Sequence, residues 1–405
     1  MNLKSTALVA IALFLAACGG NDEPAAAIES QVDAGEALHA LFDEHFERGL
    51  EMNPLSATFI GDNRFNDRLA HFASPDFRDA AEAMDREFLE RLLEIYRAQL
   101  SYQDQLSYNI FTLDRHESLE GNQFPGHLQP VNQFRNMMNF LVQLGSGASA
   151  HPFKTVKDYD DWLSRVDDAI FNTDLMIENM QEGMRQGIVQ PRILMEKVIP
   201  QLESQIVDDV TQSAFYKPIV NMPDDFSDEE RKRLTAAFED KIANAIIPAY
   251  ARLNNFIGDE YLSSARETVG LYALPNGNDW YAYNVRTITT TDMSPEEIHQ
   301  IGLDEVARIH GEMNAVMEEV GFDGDLKEFF EFVNTDPQFF FDEPEQLIQG
   351  YRDMADHINE LAEDLFEVFP NTDFEVRRVE PFREQSASGG SYSAGTTDGS
   401  QIGRA

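Results

Sequence analysis

The clearest indication of the fold is the stretch from Ser294 to Val320, which reads SPEEIHQIGLDEVARIHGEMNAVMEEV. It begins with Ser294 and Pro295, and Glu297 follows three residues after the serine, which is the pattern of a capped helix start. Behind this start, apolar residues recur at intervals of three and four, at Val306, Ile309, Met313, Val316 and Val320. The stretch therefore predicts a long helix with one apolar face.

The same two signals recur from about Ile28 onward. Ser74-Pro75 precedes an apolar face formed by Met84, Phe88, Leu92 and Ile95, and Ser227 with Glu230 forms a capping box. A last long helix is predicted to start near Pro344 and to end before Pro370, with an apolar face at Leu347, Tyr351, Met354, Ile358, Leu361 and Leu365. We expect a mainly α, multi-helix fold in which these apolar faces are ordinary helix-packing surfaces.

Two later stretches depart from the helical pattern. Residues 271–291 are rich in tyrosine, threonine and glycine, and Asn276-Gly277 is a turn signal. Within them, the tetrapeptide WYAY at 280–283 fits either a strand or a buried aromatic connector. Phe374, Val376 and Val379 then alternate with charged residues, which predicts a small β element near the C-terminus.

The N-terminus has the features of an export signal. A positive start that includes Lys4 is followed by an apolar run and by Leu15-Ala16-Ala17-Cys18. The apolar run is too short to span a bilayer. Leu15-Ala16-Ala17-Cys18 also resembles the bacterial lipobox, in which the cysteine is lipidated. The alternative is a plain secretory signal with an incidental Cys18. We predict a signal peptide over 1–17, a lipidated N-terminus and flexible tether over 18–27, and a helical domain over 28–405.

The amino-acid composition limits the classes of protein to which this chain can belong. The chain has 405 residues, and its 42% hydrophobic and 11% aromatic content is that of a folded globular protein. With a single cysteine, no disulfide can form within the chain, so stability must come from packing. The formal net charge of −41 repels nucleic acid and anionic lipid head groups, and we interpret it as a solvated acidic surface.

The common catalytic motifs do not occur in these residues. No two of the nine histidines are three, four or five residues apart, and the only His-Glu dipeptide, His116-Glu117, has Glu120 where HExxH requires histidine. Ser393 has Ser391 in place of the first glycine of a nucleophile elbow. The sequence does not exclude metal sites assembled from distant residues, and it shows no catalytic constellation.

Several segments together resemble one family. They are Asn53 to Asp62 (NPLSATFIGD), His127 to Phe134 (HLQPVNQF), His151 to Arg165 (HPFKTVKDYDDWLSR), Glu182 to Val198 (EGMRQGIVQPRILMEKV) and Leu274 to Ile309 with LPNG, WYAY and TTTDMSPEEIH. The chain is similar, from about residue 30 to 400, to the bacterial domain-of-unknown-function 885 proteins, many of which are exported lipoproteins.

The resemblance implies a gluzincin-like scaffold of a zinc metallopeptidase, mostly helical with a small sheet beside the site. In that family the zinc ligands and the catalytic glutamate lie on an HExxGHH-like helix beyond the point where this chain ends. Zinc is therefore expected in intact family members, where it would activate water while the glutamate acts as general base. No residue of this chain therefore corresponds to a zinc ligand or to the catalytic glutamate of the family. We expect the chain to be incomplete at its C-terminus.

The resemblance also implies a substrate-binding strand. In such peptidases an edge strand ahead of the metal helix pairs with the peptide backbone. The candidate residues here are Ala387, Ser388, Gly389, Gly390, Ser391 and Tyr392. The alternative is that this small, polar segment is a flexible tail.

The resulting hypothesis is the N-terminal part of a membrane-anchored, zinc-metallopeptidase-like hydrolase of short peptides, inactive as the chain stands. The alternative is a non-catalytic helical envelope lipoprotein that serves as a binding or scaffolding module. The expected partners are a membrane, through the Cys18 lipid, and a peptide substrate, but not nucleic acid. Gly19 rather than an aspartate follows Cys18, which in a Gram-negative host indicates the outer membrane, facing the periplasm.

Overall fold

The computed structural model describes residues 33–134, 136–147, 149–370, 372–379, 389–395 and 402–404. Its regular structure is almost entirely helical, so the prediction of a mainly α fold is confirmed. The predicted signal peptide, Cys18 and the tether lie outside the described residues.

The helices follow one another in a chain of long and short segments. The α-helices are α1 (Ala34–Met52), α2 (Pro54–Phe59), α3 (Pro75–Leu93), α4 (Tyr102–Gly121), α5 (Met137–Gly145), α6 (Val156–Gln186), α7 (Arg192–Glu203), α8 (Lys217–Val220), α9 (Asp228–Lys241), α10 (Ile247–Asn255), α11 (Leu262–Ser264), α12 (Gly277–Thr289), α13 (Pro295–Glu319), α14 (Leu326–Thr335) and α15 (Pro344–Ala362). Two π-helical segments, Ile242–Ile246 and Phe256–Tyr261, flank α10. Two short strands, β1 (Phe374–Glu375) and β2 (Gly403–Arg404), pair in parallel.

The predicted helix starts are confirmed in atomic detail. The Ser74 side chain accepts a hydrogen bond from the backbone N–H of Phe77 at the start of α3. Ser227 and Ser294 each form a reciprocal capping box, with Glu230 and Glu297 respectively. Each box satisfies backbone N–H groups that a helix start would otherwise leave unpaired. These local interactions explain why the sequence alone located α3, α9 and α13.

The main core surrounds α6, the longest helix, with 31 residues. Its buried side chains include Trp162, Tyr159 and Met176, and they pack against α5, α9 and α10. Gly145 at the end of α5 lies directly against Trp162, because a Cβ atom there would sit 2.3 Å from the indole ring. Only glycine lets α5 approach α6 this closely.

Arg165 is fully buried in the middle of α6 and is held by neutral acceptors. Its guanidinium donates to the carbonyls of Phe65 and Arg68 at 3.0 and 3.2 Å and to Thr58 Oγ1 at 2.8 Å. It also donates to Nδ1 of His151 at 3.2 Å. Burial lowers the pKa of Arg165 to about 10, so it stays charged at neutral pH. One side chain thus fixes the α2–α3 and α5–α6 connections to α6.

A second, smaller core joins α1, α3 and α4. It contains Leu38, Phe88 and Leu92, and beside it Arg115 of α4 pairs with Asp85 of α3 at 2.6 Å. Ser118 donates to the other oxygen of Asp85 at 2.5 Å. The buried carboxylate is therefore both paired and hydrogen-bonded, which is the condition for tolerating a charge at this depth.

The WYAY segment is neither a strand nor a buried connector, so that prediction was wrong. It lies within α12, which begins after Asn276 in the left-handed conformation with φ 54°. Trp280 stacks on Phe124, with ring centroids 5.9 Å apart, and the Tyr283 hydroxyl donates to the Glu117 carbonyl at 2.8 Å. The aromatic residues dock α12 on the end of α4, a contact that a local pattern does not specify.

The apolar faces of α13 and α15 are exposed, which corrects the expectation that they are ordinary packing surfaces. On α13 the exposed fraction runs from 38% at Ile309 to 62% at Val320, apart from the half-buried Met313, and on the α15 face it runs from 45% at Leu347 to 77% at Leu365. By contrast, Met84, Phe88 and Leu92 of α3 are buried as predicted. The amphipathic pattern identified all three helices but not whether a partner covers each face.

The predicted small β element consists of β1 and β2, with Phe374 opposite Gly403 and Glu375 opposite Arg404. Arg352 of α15 donates to the Val376 carbonyl at 3.2 and 3.1 Å, which ties this element to the last helix. Among the described helices, none combines the length and the apolar character needed to cross a membrane.

Replacing Arg165 with lysine should lower the free energy of unfolding by about 3 kcal/mol, because one ammonium cannot reach the acceptors that the guanidinium joins. Urea denaturation monitored by circular dichroism measures this. Arg185→Lys, on the same helix but at an exposed pair with Glu182, is the control and should change stability by less than about 0.5 kcal/mol. Equal effects of the two substitutions would contradict the conclusion that Arg165 holds the α2–α3 and α5–α6 connections on α6.

The exposed faces of α13 and α15 should make the chain self-associate, because contiguous apolar surface of this extent seeks a partner. Light scattering coupled to gel filtration should show oligomers that the pair Val306→Lys and Met354→Lys reduces. The control is Ile193→Lys on α7, whose side chain is 51% exposed, as is Val306. A monodisperse unsubstituted chain with a sharp cooperative melt would refute this expectation.

Candidate functional site

A cavity of about 590 Å³ lies where the α5–α6 connection meets the small β element. The connecting loop, which we call the 146–154 loop, forms one wall through residues 146–147 and 149–154, and Glu375 of β1 and Ile402, next to β2, contribute to the other. Tyr159 of α6 and Pro218 of α8 also line the cavity. This is the candidate functional site, because it brings together the main core, the loop and the β element.

The loop wall is fixed by hydrogen bonds at both ends. Ser146 continues the last turn of α5, with its N–H donating to the Val142 carbonyl at 2.9 Å, and Gly147 follows in the left-handed conformation with φ 75°. At the other end, Asp158 Oδ2 accepts from the N–H groups of Lys154 and Thr155 at 2.9 and 2.8 Å. Phe153 packs its ring against Tyr159 at 5.1 Å. The wall is therefore preorganised.

His151 lies in this wall but is not available as a base. Its Nδ1 accepts from Arg165, so Nε2 carries the proton and donates to the Asp158 carbonyl at 3.0 Å. Only 2% of the residue is exposed, and burial lowers its pKa to about 4. His151 is therefore neutral at physiological pH, and both ring nitrogens serve to position the loop.

The polar groups at the base of the cavity are likewise engaged. The fully buried Tyr159 donates its hydroxyl to the Pro218 carbonyl at 2.9 Å, and burial raises its pKa to about 12. Lys154 and Glu375 contribute one charge of each sign to the lining. His151 and Tyr159 are therefore both held in hydrogen bonds to the protein.

The predicted substrate strand lies beside this site. Ala387 and Ser388 are outside the described residues, while Gly389, Gly390, Ser391 and Tyr392 are exposed. The Tyr392 ring meets Phe374 of β1 edge to face, with centroids 6.2 Å apart. It also covers Gly403 of β2, where a Cβ atom would lie 2.8 Å from the tyrosine oxygen. The segment thus borders the β element whose Glu375 and Ile402 line the cavity.

Sequence reasoning missed the loop wall itself. The signal was present as the run of small and turn-forming residues GSGASAHP at 145–152, which marks a loop. The run does not reveal that the loop faces a β element more than two hundred residues later in the chain. Only the packing of the loop on α6 and beside β1 creates the cavity.

The described residues do not fit a zinc ion. Within them, no group of three or more histidine, cysteine, aspartate or glutamate side chains is arranged to hold a metal. His299 and His310 lie on exposed turns of α13, and His151 has both nitrogens engaged. The zinc expected from the family resemblance therefore has no set of ligands in this part of the chain.

Comparison with known proteins gives a family and a fold. The family described as "Bacterial protein of unknown function (DUF885)" matches residues 54–405. The crystal structure of a "putative lipoprotein" from Colwellia psychrerythraea is similar, with a TM-score of 0.81 at 21% identity. The similarity covers 92% of this chain and 67% of that one, so about a third of the solved chain lies outside it. No curated protein matched the sequence.

Replacing His151 with glutamine should flatten the pH dependence of stability between about pH 6.5 and 4. The folded-state pKa of His151 lies below its unfolded value, so the unfolded chain binds the extra proton in this window. The contribution of His151 to the free energy of unfolding is therefore fully present above about pH 6.5. It is lost as the pH falls toward 4, and the loss amounts to about 3 kcal/mol in total. Glutamine can still accept from Arg165 and donate to Asp158.

The measurement is urea denaturation at a series of pH values. His299→Gln, at an exposed position of α13, is the control and should leave the wild-type slope unchanged. A wild-type slope that persists in His151→Gln would show that other groups cause the acid sensitivity.

Proposed function

The chain belongs to the bacterial DUF885 family, and from this membership we propose that it is the helical part of a lipid-anchored envelope hydrolase of short peptides. In this proposal the chain supplies the scaffold and one wall of the substrate cleft. The observation that supports this proposal best is the cavity between the 146–154 loop and the β element. The β element in turn borders residues 389–392. A cavity of about 590 Å³ suits a short peptide better than a folded protein.

The dimensions of the cavity support the substrate class. A volume of about 590 Å³ is that of a site for a small molecule or a few residues of peptide. Lys154 and Glu375 offer opposite charges, as a zwitterionic short peptide would require. Residues 389–392 would add backbone hydrogen bonds by strand addition, and the small residues Gly389, Gly390 and Ser391 would allow a peptide to approach closely.

The metal chemistry is assigned to polypeptide outside residues 1–405. Among the described residues no group of three or more potential ligands is arranged to hold a metal, so we derive no catalytic step from them. Two observations support further polypeptide: the exposed apolar faces of α13 and α15, and the third of the solved relative that has no counterpart in this chain. Those faces would be the surfaces on which the metal-binding part packs.

The location in the cell follows from the N-terminus. Cys18 would carry the lipid, and Gly19 after it favours the outer membrane of a Gram-negative host, with the domain facing the periplasm. Membrane fractionation tests this directly. Recovery of the protein in the inner membrane would contradict the proposed sorting.

The test of function is to sequence the gene beyond the codon for Ala405, express the full reading frame, load it with zinc and assay a library of short peptides. We expect an HExxGHH-like helix and zinc-dependent cleavage that chelation abolishes. A stop codon after Ala405, or no cleavage of any peptide by the zinc-loaded product, would favour the alternative of a non-catalytic binding module.

In the active protein, Ser391→Pro should raise KM roughly tenfold or more, because proline removes the backbone N–H that strand addition uses. Ser391→Ala is the matched control and should leave KM nearly unchanged, since the backbone makes the contact. Peptide hydrolysis measured over a range of substrate concentrations separates KM from kcat. An equal effect of the two substitutions would rule out strand addition at this position.

A further inference from the structure

Helix α4 carries a second apolar stripe that faces away from the core. Tyr102, Leu106, Ile110 and Leu113 fall within an arc of about 80° at 100° per residue. Their exposed fractions are 79%, 38%, 61% and 47%. This anomaly differs from the scattered exposed apolar residues of ordinary surfaces, because the four side chains form one continuous row.

The opposite face of α4 is the one that packs into the smaller core. Tyr108 is buried there, Arg115 pairs with Asp85 of α3, and Ser118 donates to the same carboxylate. A surface helix with one buried face normally presents polar residues on the other. On α4 the packed face carries Arg115 and Ser118 beside Tyr108, whereas the outer face carries the apolar stripe, so packing within the described fold does not explain the stripe.

The exposed stripe is free of charge in a chain that is 25% charged. Across residues 102–113 the one ionisable acid or base is Asp104, and its carboxylate turns to His39 of α1 at 2.8 Å. Gln103 and Asn109 flank the stripe; Asn109 Oδ1 accepts from Arg97 Nε at 2.8 Å, and the exposed Asp114 follows Leu113 at the far end. The acidic residues of the same side, Glu117 and Glu120, come later, where Tyr283 and Arg286 of α12 contact them.

The stripe begins where the chain enters the folded body. Asp33 caps α1, and a Cβ atom on Gly35 would lie 3.7 Å from Asp104 Oδ2 in the first turn of α4. Two further exposed apolar side chains, Leu93 and Tyr96, stand at the end of α3 with 58% and 67% exposure. Tyr96 lines a cavity together with Ala34 and Ala37 at the start of α1.

We propose that this anchor-proximal patch, formed by Leu93, Tyr96, Tyr102, Leu106, Ile110 and Leu113, docks on the zwitterionic phospholipid surface of the membrane that holds the Cys18 lipid. Cys18 precedes Asp33 by 15 residues. Fifteen residues of chain span at most about 50 Å, which keeps the patch near the bilayer. Tyrosine and aliphatic side chains are suited to the membrane interface, where a tyrosine ring is buried and its hydroxyl stays hydrated.

The net charge of the chain favours a zwitterionic lipid surface over an anionic one. A net charge of −41 repels an anionic surface, whereas zwitterionic head groups impose no such penalty. The inference takes its orientation from the proposed lipidation of Cys18 but does not require peptidase activity.

The test uses the absence of any other cysteine. In a Cys18→Ser background, Ile110→Cys is labelled with an environment-sensitive fluorophore, and Leu303→Cys on α13, 52% exposed, is the matched control. Each protein is held by an N-terminal histidine tag on phosphatidylcholine vesicles that contain a nickel-chelating lipid. We expect a blue shift and a several-fold rise in emission at position 110 and little change at position 303.

A second measurement uses the untagged Cys18→Ser protein and flotation with vesicles. Ile110→Glu should lower its partition coefficient roughly tenfold, whereas Leu303→Glu should not, since burying one large aliphatic side chain accounts for about that factor. Circular dichroism confirms that each variant is folded. The proposal is overturned if position 110 stays water-exposed on vesicles that hold the protein, or if both labels shift equally. Because Cys18 is replaced throughout, a failure here is separate from any failure of lipidation or of catalysis.

Discussion

The buried guanidinium of Arg165 is the interaction on which the rest of the fold depends. It lies in the middle of α6 and receives its hydrogen-bond acceptors from segments about one hundred residues earlier in the chain and from His151. A cation at this depth is tolerated only if its donors are satisfied. The loops that supply the acceptors are therefore held in one arrangement. The hydrogen bond from Arg165 to His151 also positions the wall of the candidate site, because His151 belongs to the 146–154 loop.

The molecule divides into a packed part and an open part. The buried side chains of the main core come from residues 69–261, and the smaller core joins α1, α3 and α4. By contrast, α13 and α15 keep their apolar faces roughly half exposed. The candidate cavity lies where the packed part meets the β element tied to α15. A molecule in the cavity would thus contact both parts.

Two unpartnered apolar surfaces therefore have different explanations. The faces of α13 and α15 are flanked by acidic residues, whereas the four residues of the outer α4 stripe carry no charge and the stripe begins near the start of α1. Covering either surface with a partner is favourable in free energy, since each square ångström of apolar surface removed from water contributes about 25 cal/mol. What distinguishes them is the charge around each surface and its position along the chain.

Local chemistry in the sequence determined where the main helices start and that the fold is mainly α. Ser74, Ser227 and Ser294 act on backbone groups within three residues, so their role is independent of the rest of the fold. The tertiary structure alone decided that WYAY is helical, because its aromatic rings find partners on α4. It also decided which apolar faces are covered and that the 146–154 loop meets the β element. Those outcomes depend on contacts between residues far apart in sequence, which periodicity cannot encode.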